Sequence, residues 1–358
     1  MAVTAGTGQL QVADLRDAGR KAPRSARGWR FVRRRAGFYL FTAWAAVTLN
    51  FLIPRFMPGD PAQTLVNKLQ QLTGQRPGPD EMAAIRRFYG NPQHNLFRQY
   101  LEYWNGVLQF NFGVSVSDYP TRVSDIVRQA LPWTVVLVGT TTILAWLLGT
   151  LLGIFMGWRP GGRFDSIAAP ATTFFHAIPA FWLGLLLLWV FAFKLGWVPL
   201  GGGYNPDLAP GSSLPFILSS LHYGLLPAVS LIFVGFNGWV FGMRNMMVTT
   251  ISEDYVLLAR AKGLSTRRVM FRYAARNALL PNITGLALAI GSVIGGVLVT
   301  EIVFTYPGLG YALFEAVGDK DYPVMQTIFL LITLLALVAN FIADSLYVLL
   351  DPRTREGG

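Results

Sequence analysis

Apolar residues in this chain come in long unbroken blocks, not in the alternating or striped patterns of water-soluble elements. Six stretches contain no Asp, Glu, Lys or Arg: 19 positions between Arg35 and Arg55, 30 between Arg128 and Arg159, 28 between Asp165 and Lys194, 36 between Asp207 and Arg244, 24 between Arg276 and Glu301, and 22 between Asp321 and Asp344. A helix needs about 20 largely apolar residues to cross the hydrocarbon core of a bilayer. The pattern predicts transmembrane helices at 36–54, 132–158, 167–193, 222–243, 277–300 and 324–350, with 211–221 read as a loop. One such stretch could be a buried helix of a soluble protein. Six together would leave too little polar surface for one, so the predicted fold is an all-α, polytopic membrane protein.

The intervals between the blocks set the orientation. Short cytoplasmic loops carry an excess of Lys and Arg. The 1–35 segment holds nine, the 159–165 loop two, the 244–276 loop seven and the 351–358 segment two. The short loops on the other side hold only Lys194 and Lys320. Both termini are therefore expected in the cytoplasm. The chain divides into a basic tail (1–35), a membrane domain (36–351) and a short tail (352–358). Residues 55–131 are expected outside and 245–276 inside. The first apolar block has no small-x-small cleavage pattern after it, so it reads as a retained anchor.

Composition narrows the chemistry. The 358 residues are 53% apolar and 14% charged, with a net charge of +11. The basic excess follows the topology and is not a nucleic-acid footprint; it suits contact with anionic lipid. Cysteine is absent, which excludes disulfides, thiolate metal sites and a cysteine nucleophile. The three histidines, His94, His176 and His222, are far apart in sequence. A phosphate-binding loop ends in Gly-Lys-Ser/Thr. None of the five lysines follows a glycine, so this chain has no P-loop of its own.

Two polar intervals carry local structure. Outside, Pro58-Gly59-Asp60-Pro61 marks a turn, Asp80-Glu81 opens a short amphipathic helix with Met82, Ile85 and Phe88, and Asn95 caps a second helix that ends at Gly113. Inside, Ser252 is placed as an N-cap, with Glu253 and Asp254 in the first turn, where the helix dipole favours carboxylates. Lys262 falls in the last turn and Gly263 supplies the left-handed stop. Ser265 then caps a second helix, 266–277, and Pro281 marks entry to the next span. This helix pair exceeds what a simple connection needs. Tyr255, Val256 and Ala259 are expected to anchor it in a groove on a cytoplasmic partner. Among the few ionisable groups near the membrane, Glu301, Asp344 and His176 are candidates for the gate or pathway, against capping or interhelical bonding.

At this point the sequence resembles a family. The run Glu253-Asp254-Tyr255-Val256-Leu257-Leu258-Ala259-Arg260-Ala261-Lys262-Gly263-Leu264 is similar to the cytoplasmic coupling loop of binding-protein-dependent ABC importer permeases, specifically the B-type permease of the oligopeptide/dipeptide branch. Further pieces match in order: Met57-Pro58-Gly59-Asp60-Pro61, Ile178-Pro179-Ala180-Phe181-Trp182-Leu183-Gly184, Arg276-Asn277-Ala278-Leu279-Leu280-Pro281, Glu301-Ile302-Val303-Phe304, Pro307-Gly308-Leu309-Gly310, Asp321-Tyr322-Pro323-Val324 and Asp351-Pro352-Arg353. Two places depart. The broader permease loop begins with Glu-Ala-Ala where this chain has Leu257-Leu258-Ala259, and the outer segment has Asn111-Phe112-Gly113-Val114-Ser115 where the branch tends to Gly-Asp-Leu-Gly-Arg-Ser.

The resemblance implies a type I ABC importer-like fold with six spans in a bacterial inner membrane. It also implies partners: a second homologous permease subunit, two cytoplasmic ATP-binding subunits that hold the ATP and Mg, and an extracytoplasmic solute-binding protein. This chain would bind no cofactor and catalyse nothing. Its coupling residues would be Glu253, Asp254, Tyr255, Val256, Ala259, Arg260, Ala261, Lys262, Gly263 and Leu264. The expected cargo is a peptide, with a cello- or xylo-type oligosaccharide as the alternative. A stand-alone channel or ion-coupled carrier is the reading from a different class.

Overall fold

The structure, a computed structural model, describes residues 24–56, 95–292 and 294–350, together with single positions between 66 and 82. Within those residues the chain is helical: α1 Arg24–Phe56, α2 Leu96–Leu108, α3 Val123–Trp158, α4 Arg163–Ala177, α5 Ala180–Leu187, α6 Leu214–Ile251, α7 Asp254–Ala261, α8 Thr266–Arg268, α9 Arg276–Ser292, α10 Ile294–Val303, α11 Leu309–Gly318 and α12 Tyr322–Leu350. Two π-helical turns extend the set, Leu188–Lys194 after α5 and Val269–Ala275 between α8 and α9. The turn at 57–61, the helix expected near 81–88 and Asp351-Pro352-Arg353 lie outside the described residues, apart from Met82.

Three described helices, α3, α6 and Tyr322–Ile342 of α12, are long and apolar enough to cross a membrane. α4 and the segment Ala180–Lys194, which is α5 with its π-turn, pass the same test as a pair but meet at 96°. The stretches 36–54 and 277–300 lie in α1 and across α9 and α10.

Four sequence expectations change. The third block is not one straight rod. Ile178 is extended (φ −85°, ψ 126°) before Pro179, because a residue preceding proline avoids the α region and proline has no N–H to continue the ladder. The fourth helix begins at Leu214, not 222, with a proline in its first turn, where a missing N–H costs nothing. Of the residues read as loop, 211–213 do lie outside the helix, while 214–221 belong to it; Pro215 and the Ser219-Ser220 pair suggest a loop by composition but are compatible with a helix whose proline stands in the first turn. The second helix starts at Val123, one polar turn and more before the apolar block. On the outer side α2 ends at Leu108, well before Gly113. Asn95 does cap α2, its Oδ1 accepting the Arg98 N–H at 2.9 Å.

The centre of the bundle is the α3–α6 pair. Gly149, Gly153 and Gly157 line one face of α3 at four-residue spacing and lie directly against the α6 backbone. A Cβ on Gly153 would stand 2.5 Å from the Val240 carbonyl oxygen, and one on Gly157 2.5 Å from Met247 Cβ. Small residues let helices approach this closely in lipid, where association depends on van der Waals contact. Asn282 on α9 adds an interhelical bond, donating from Nδ2 to Thr150 Oγ1 at 2.9 Å.

The segment before α3 is fastened by one buried carboxylate. Asp321 Oδ2 accepts the N–H groups of Val116 (2.8 Å) and Ser117 (3.0 Å), the Ser117 hydroxyl (2.9 Å) and the Ser115 hydroxyl. Its Oδ1 accepts the Val324 N–H at 3.3 Å, capping α12. One side chain thus ties the 113–118 loop to the start of the last helix.

Candidate functional site

The loop after α6 forms a single short helix held on the bundle. Ser252 closes α6 as its last cap residue, so the N-cap of α7 is Glu253 and not Ser252. α7 ends in a Schellman turn: the Gly263 N–H bonds to the Arg260 carbonyl (2.9 Å) and the Leu264 N–H to the Ala259 carbonyl (3.4 Å). Gly263 sits at φ +72°, the left-handed region expected of it. The second expected helix is not separate. From Thr266 the chain stays helical through the π-turn into α9, and Pro281 lies inside that helix.

Two of the three expected anchors face inward. Val256 and Ala259 are buried in a cluster with Ile154 of α3, Met243 and Met247 of α6, and Val269 and Ala274 of the π-turn. Positions 256 and 259 lie on one helical face, and that face is used to seat α7. The outward face carries Tyr255, Leu257 and Leu258, all exposed, with Glu253, Asp254, Ala261, Lys262 and Gly263 beside them. Arg260 lies over the Trp158 ring at 4.9 Å, a cation–π contact that fastens α7 to the end of α3. Leu264 packs on the edge of the cluster.

An ion pair braces the same corner. Arg244 donates from Nε and Nη2 to the two oxygens of Asp165, each at 2.7 Å. Asp165 also accepts the Gly161 N–H at 2.8 Å. α6 is thereby locked to the start of α4 one turn before Met247 reaches α7. Sequence inspection passed over this pair. The signal was the placement of one unmatched charge at the end of each of two apolar blocks on the same side.

The gate candidates divide. Glu301 is fully buried, and its Oε2 accepts the Gly310 N–H at 2.6 Å. Thr134 Oγ1 of α3 accepts the neighbouring Leu309 N–H at 2.8 Å. Together they accept two of the open N–H groups in the first turn of α11, so in this conformation Glu301 acts as a cap. Its Oε1 has no hydrogen-bond partner among the described residues. His176 stands at the α4–α5 bend, with Nδ1 3.0 Å from the Val234 carbonyl oxygen of α6. The side chain of Asp344 lies outside the described residues. A cavity of about 760 Å³ opens between α3, α6 and α9, lined by Thr142, Gly235, Gly238, Trp239, Met246 and Asn282 among others. Its described lining is uncharged.

Comparison with known proteins accounts for this arrangement. Residues 149–356 match the family model described as binding-protein-dependent transport system inner membrane component. The oligopeptide transport system permease protein AppB of Bacillus subtilis (strain 168) is 34% identical over 307 residues, covering 85% of this chain and 92% of that protein. The di/tripeptide transport system permease protein DppB of Pseudomonas aeruginosa (strain UCBPP-PA14) is 31% identical over 338 residues, covering 91% and 98%. The glutathione transport system permease protein GsiC of Escherichia coli (strain K12) is 33% identical over 318 residues, covering 88% and 95%. Both the match over residues 149–356 and the near full-length relatives lead to one conclusion: this chain belongs to the family of binding-protein-dependent transport system inner membrane components.

Proposed function

We propose that this chain is one of two homologous permease subunits of an ATP-driven peptide importer in a bacterial inner membrane. It crosses the membrane six times, at about 36–54, 132–158, 167–193, 222–243, 277–300 and 324–350, with both termini in the cytoplasm. A solute-binding protein delivers peptide from outside, and two separate ATPase subunits, which hold the ATP and Mg, drive the cycle from inside. The peptide reading is supported by the names of the three relatives, each a permease for oligopeptides, di/tripeptides or the tripeptide-like glutathione. The oligosaccharide alternative has no comparable support.

The observation that carries the mechanism is the two-faced seating of α7. Its inner face, Val256 and Ala259, is packed on Met243 and Met247 of α6. Its outer face, with Tyr255, Leu257 and Leu258, is open. An ATPase gripping the outer face would move α7 and α6 together, since packed interfaces shift between discrete arrangements instead of deforming continuously. α3 would follow, because its glycine face leaves no slack against α6. The motion would then reach the walls of the cavity at Thr142 and Trp239.

The test is peptide-stimulated ATP hydrolysis by the complex reconstituted with its binding protein. Short peptides should stimulate hydrolysis and be taken up. Stimulation by cello- or xylo-oligosaccharides with silence from peptides overturns the substrate reading. Uptake by liposomes holding this chain alone overturns the mechanism.

A further inference from the structure

The surface of α2 has three sectors where a helix resting on a protein in water needs two. Tyr100, Tyr103 and Val107 face the bundle. Thr48 Oγ1 and the Tyr100 hydroxyl share a hydrogen bond of 2.8 Å, and Asn50 Nδ2 donates to the Tyr103 hydroxyl at 2.9 Å and to the Gln326 carbonyl at 3.1 Å. The Phe51 ring meets Tyr100 and Tyr103 at 5.2 and 5.5 Å. On the far side lies a polar sector that bonds to itself: Arg98 pairs with Glu102 at 3.5 Å, and Gln109 Nε2 donates to Asn105 Oδ1 at 3.0 Å. Between these runs a third sector, Phe97, Leu101 and Leu108. These side chains are 68%, 52% and 70% exposed. At 100° per residue they fall within about 40° of one another.

The position of α2 along α1 says what covers this stripe. Phe51 precedes Arg55, the outer charge that bounds the first apolar block, by four residues, and Thr48 by seven. At 1.5 Å per residue, α2 is docked about 6–10 Å below the level of that charge. That is the depth at which amphipathic helices sit in the boundary between headgroups and acyl chains. One turn further in from Thr48 and Phe51, on the same face of α1, Trp44 is 46% exposed and Phe41 is exposed beyond it. The dock therefore sits at the outer end of an apolar stripe that runs down a membrane-spanning helix and is open on its side.

We infer that α2 is an interfacial helix, lying in the outer leaflet with Phe97, Leu101 and Leu108 among lipid acyl chains and Arg98, Glu102 and Asn105 toward water. The inference uses the span assigned at 36–54 under the proposed function. It gives the outer segment a fixed tilt and height at the membrane surface, and it makes lipid, not the solute-binding protein or the second permease, the occupant of the apolar stripe.

The natural absence of cysteine makes the test direct. Single-cysteine full-length chains F97C, L101C, R98C and W44C are assembled with their partner subunits in lipid nanodiscs and labelled with bimane, against the cysteine-free parent as background. Lipids spin-labelled just below the headgroup should quench F97C and L101C strongly, while aqueous iodide quenches R98C and leaves F97C untouched. Quenching of F97C and L101C by iodide, or by neither agent, overturns the inference; protection from both would place a protein on the stripe. W44C reports separately on the span and should be quenched by lipids labelled deeper in the chain. If W44C escapes lipid quenching, the span assignment fails and the inference falls with it. If W44C is quenched while F97C and L101C are not, the inference fails alone.

Discussion

Arg244 and Asp165 form a two-pronged ion pair, both nitrogen–oxygen distances 2.7 Å, that joins α6 to the start of α4 at the corner where α7 is seated. Asp165 is buried and Arg244 is three-quarters covered. Removing one member leaves the other charge desolvated without a partner, which costs about 3 kcal/mol or more. Asp165→Ala should therefore lower the melting temperature of the solubilised complex clearly. Arg244→Lys keeps the charge but loses the planar fork, so its loss should be smaller. If the pair also sets the angle of α6 above α7, both variants should show raised ATP hydrolysis without added peptide and weaker stimulation by peptide. A thermal shift with normal stimulation would assign the pair to stability alone.

The glycine face of α3 invites a comparison between two substitutions of the same kind. Gly153→Ala places a methyl 2.5 Å from the Val240 carbonyl and 2.7 Å from Met243 Cβ, so the helices must part. Overpacking of this kind costs about 1–3 kcal/mol. Gly139→Ala, with nothing within 4 Å, should be neutral or stabilise by up to about 1 kcal/mol through helix propensity. Thermal unfolding in one detergent compares them. Equal effects would mean that α3 and α6 do not meet along this face in the membrane.

Gly263 has open space around it, so substitution there acts through the backbone alone. At φ +72° a β-branched residue is strained, whereas asparagine tolerates the region. Gly263→Val should weaken copurification of the ATPase subunits while the chain still inserts in the membrane, and Gly263→Asn should restore most of the binding. Copurification of the valine variant at the wild-type level would remove α7 from the coupling role.

Asp321 accepts hydrogen bonds from Ser115, Val116, Ser117 and Val324 in a site closed to solvent. Asp321→Ala strands these donors, at a cost on the order of 3 kcal/mol. The 113–118 loop should become a preferred site of limited proteolysis in the intact complex. Asp321→Asn should be intermediate, since one amide oxygen can accept only part of the set. An unchanged cleavage pattern in the alanine variant would show that other contacts hold the outer segment.

Much of the architecture is set by solvation and so could be read along the chain. Charges are excluded from hydrocarbon, which is why the gap from Arg128 to Arg159 falls within α3 and most of the gap from Asp207 to Arg244 within α6. Left-handed stops need glycine, which is why Gly263 ends α7 where expected. The start at Val123 lies ahead of the apolar block because the charge rule detects hydrocarbon, not helix, whereas the start at Leu214 lies inside a charge-free stretch whose Pro and Ser residues suggest a loop. The Ser252 cap was misplaced by one residue because α6 continues two turns past its apolar block and uses that serine as its own end.

Along this chain the sequence alone determined the membrane class, the absence of a nucleotide loop and the position of the short helix that Gly263 ends, because each depends on residue type over a short window. Only the tertiary structure decided which side of that helix faces out, that Asp165 meets Arg244 across 79 positions, and that Glu301 closes the first turn of α11. Those outcomes depend on which surfaces meet when the helices pack. In a bundle whose side chains are nearly all apolar, periodicity gives little warning of that choice, since the lipid-facing and protein-facing sides are made of the same residues.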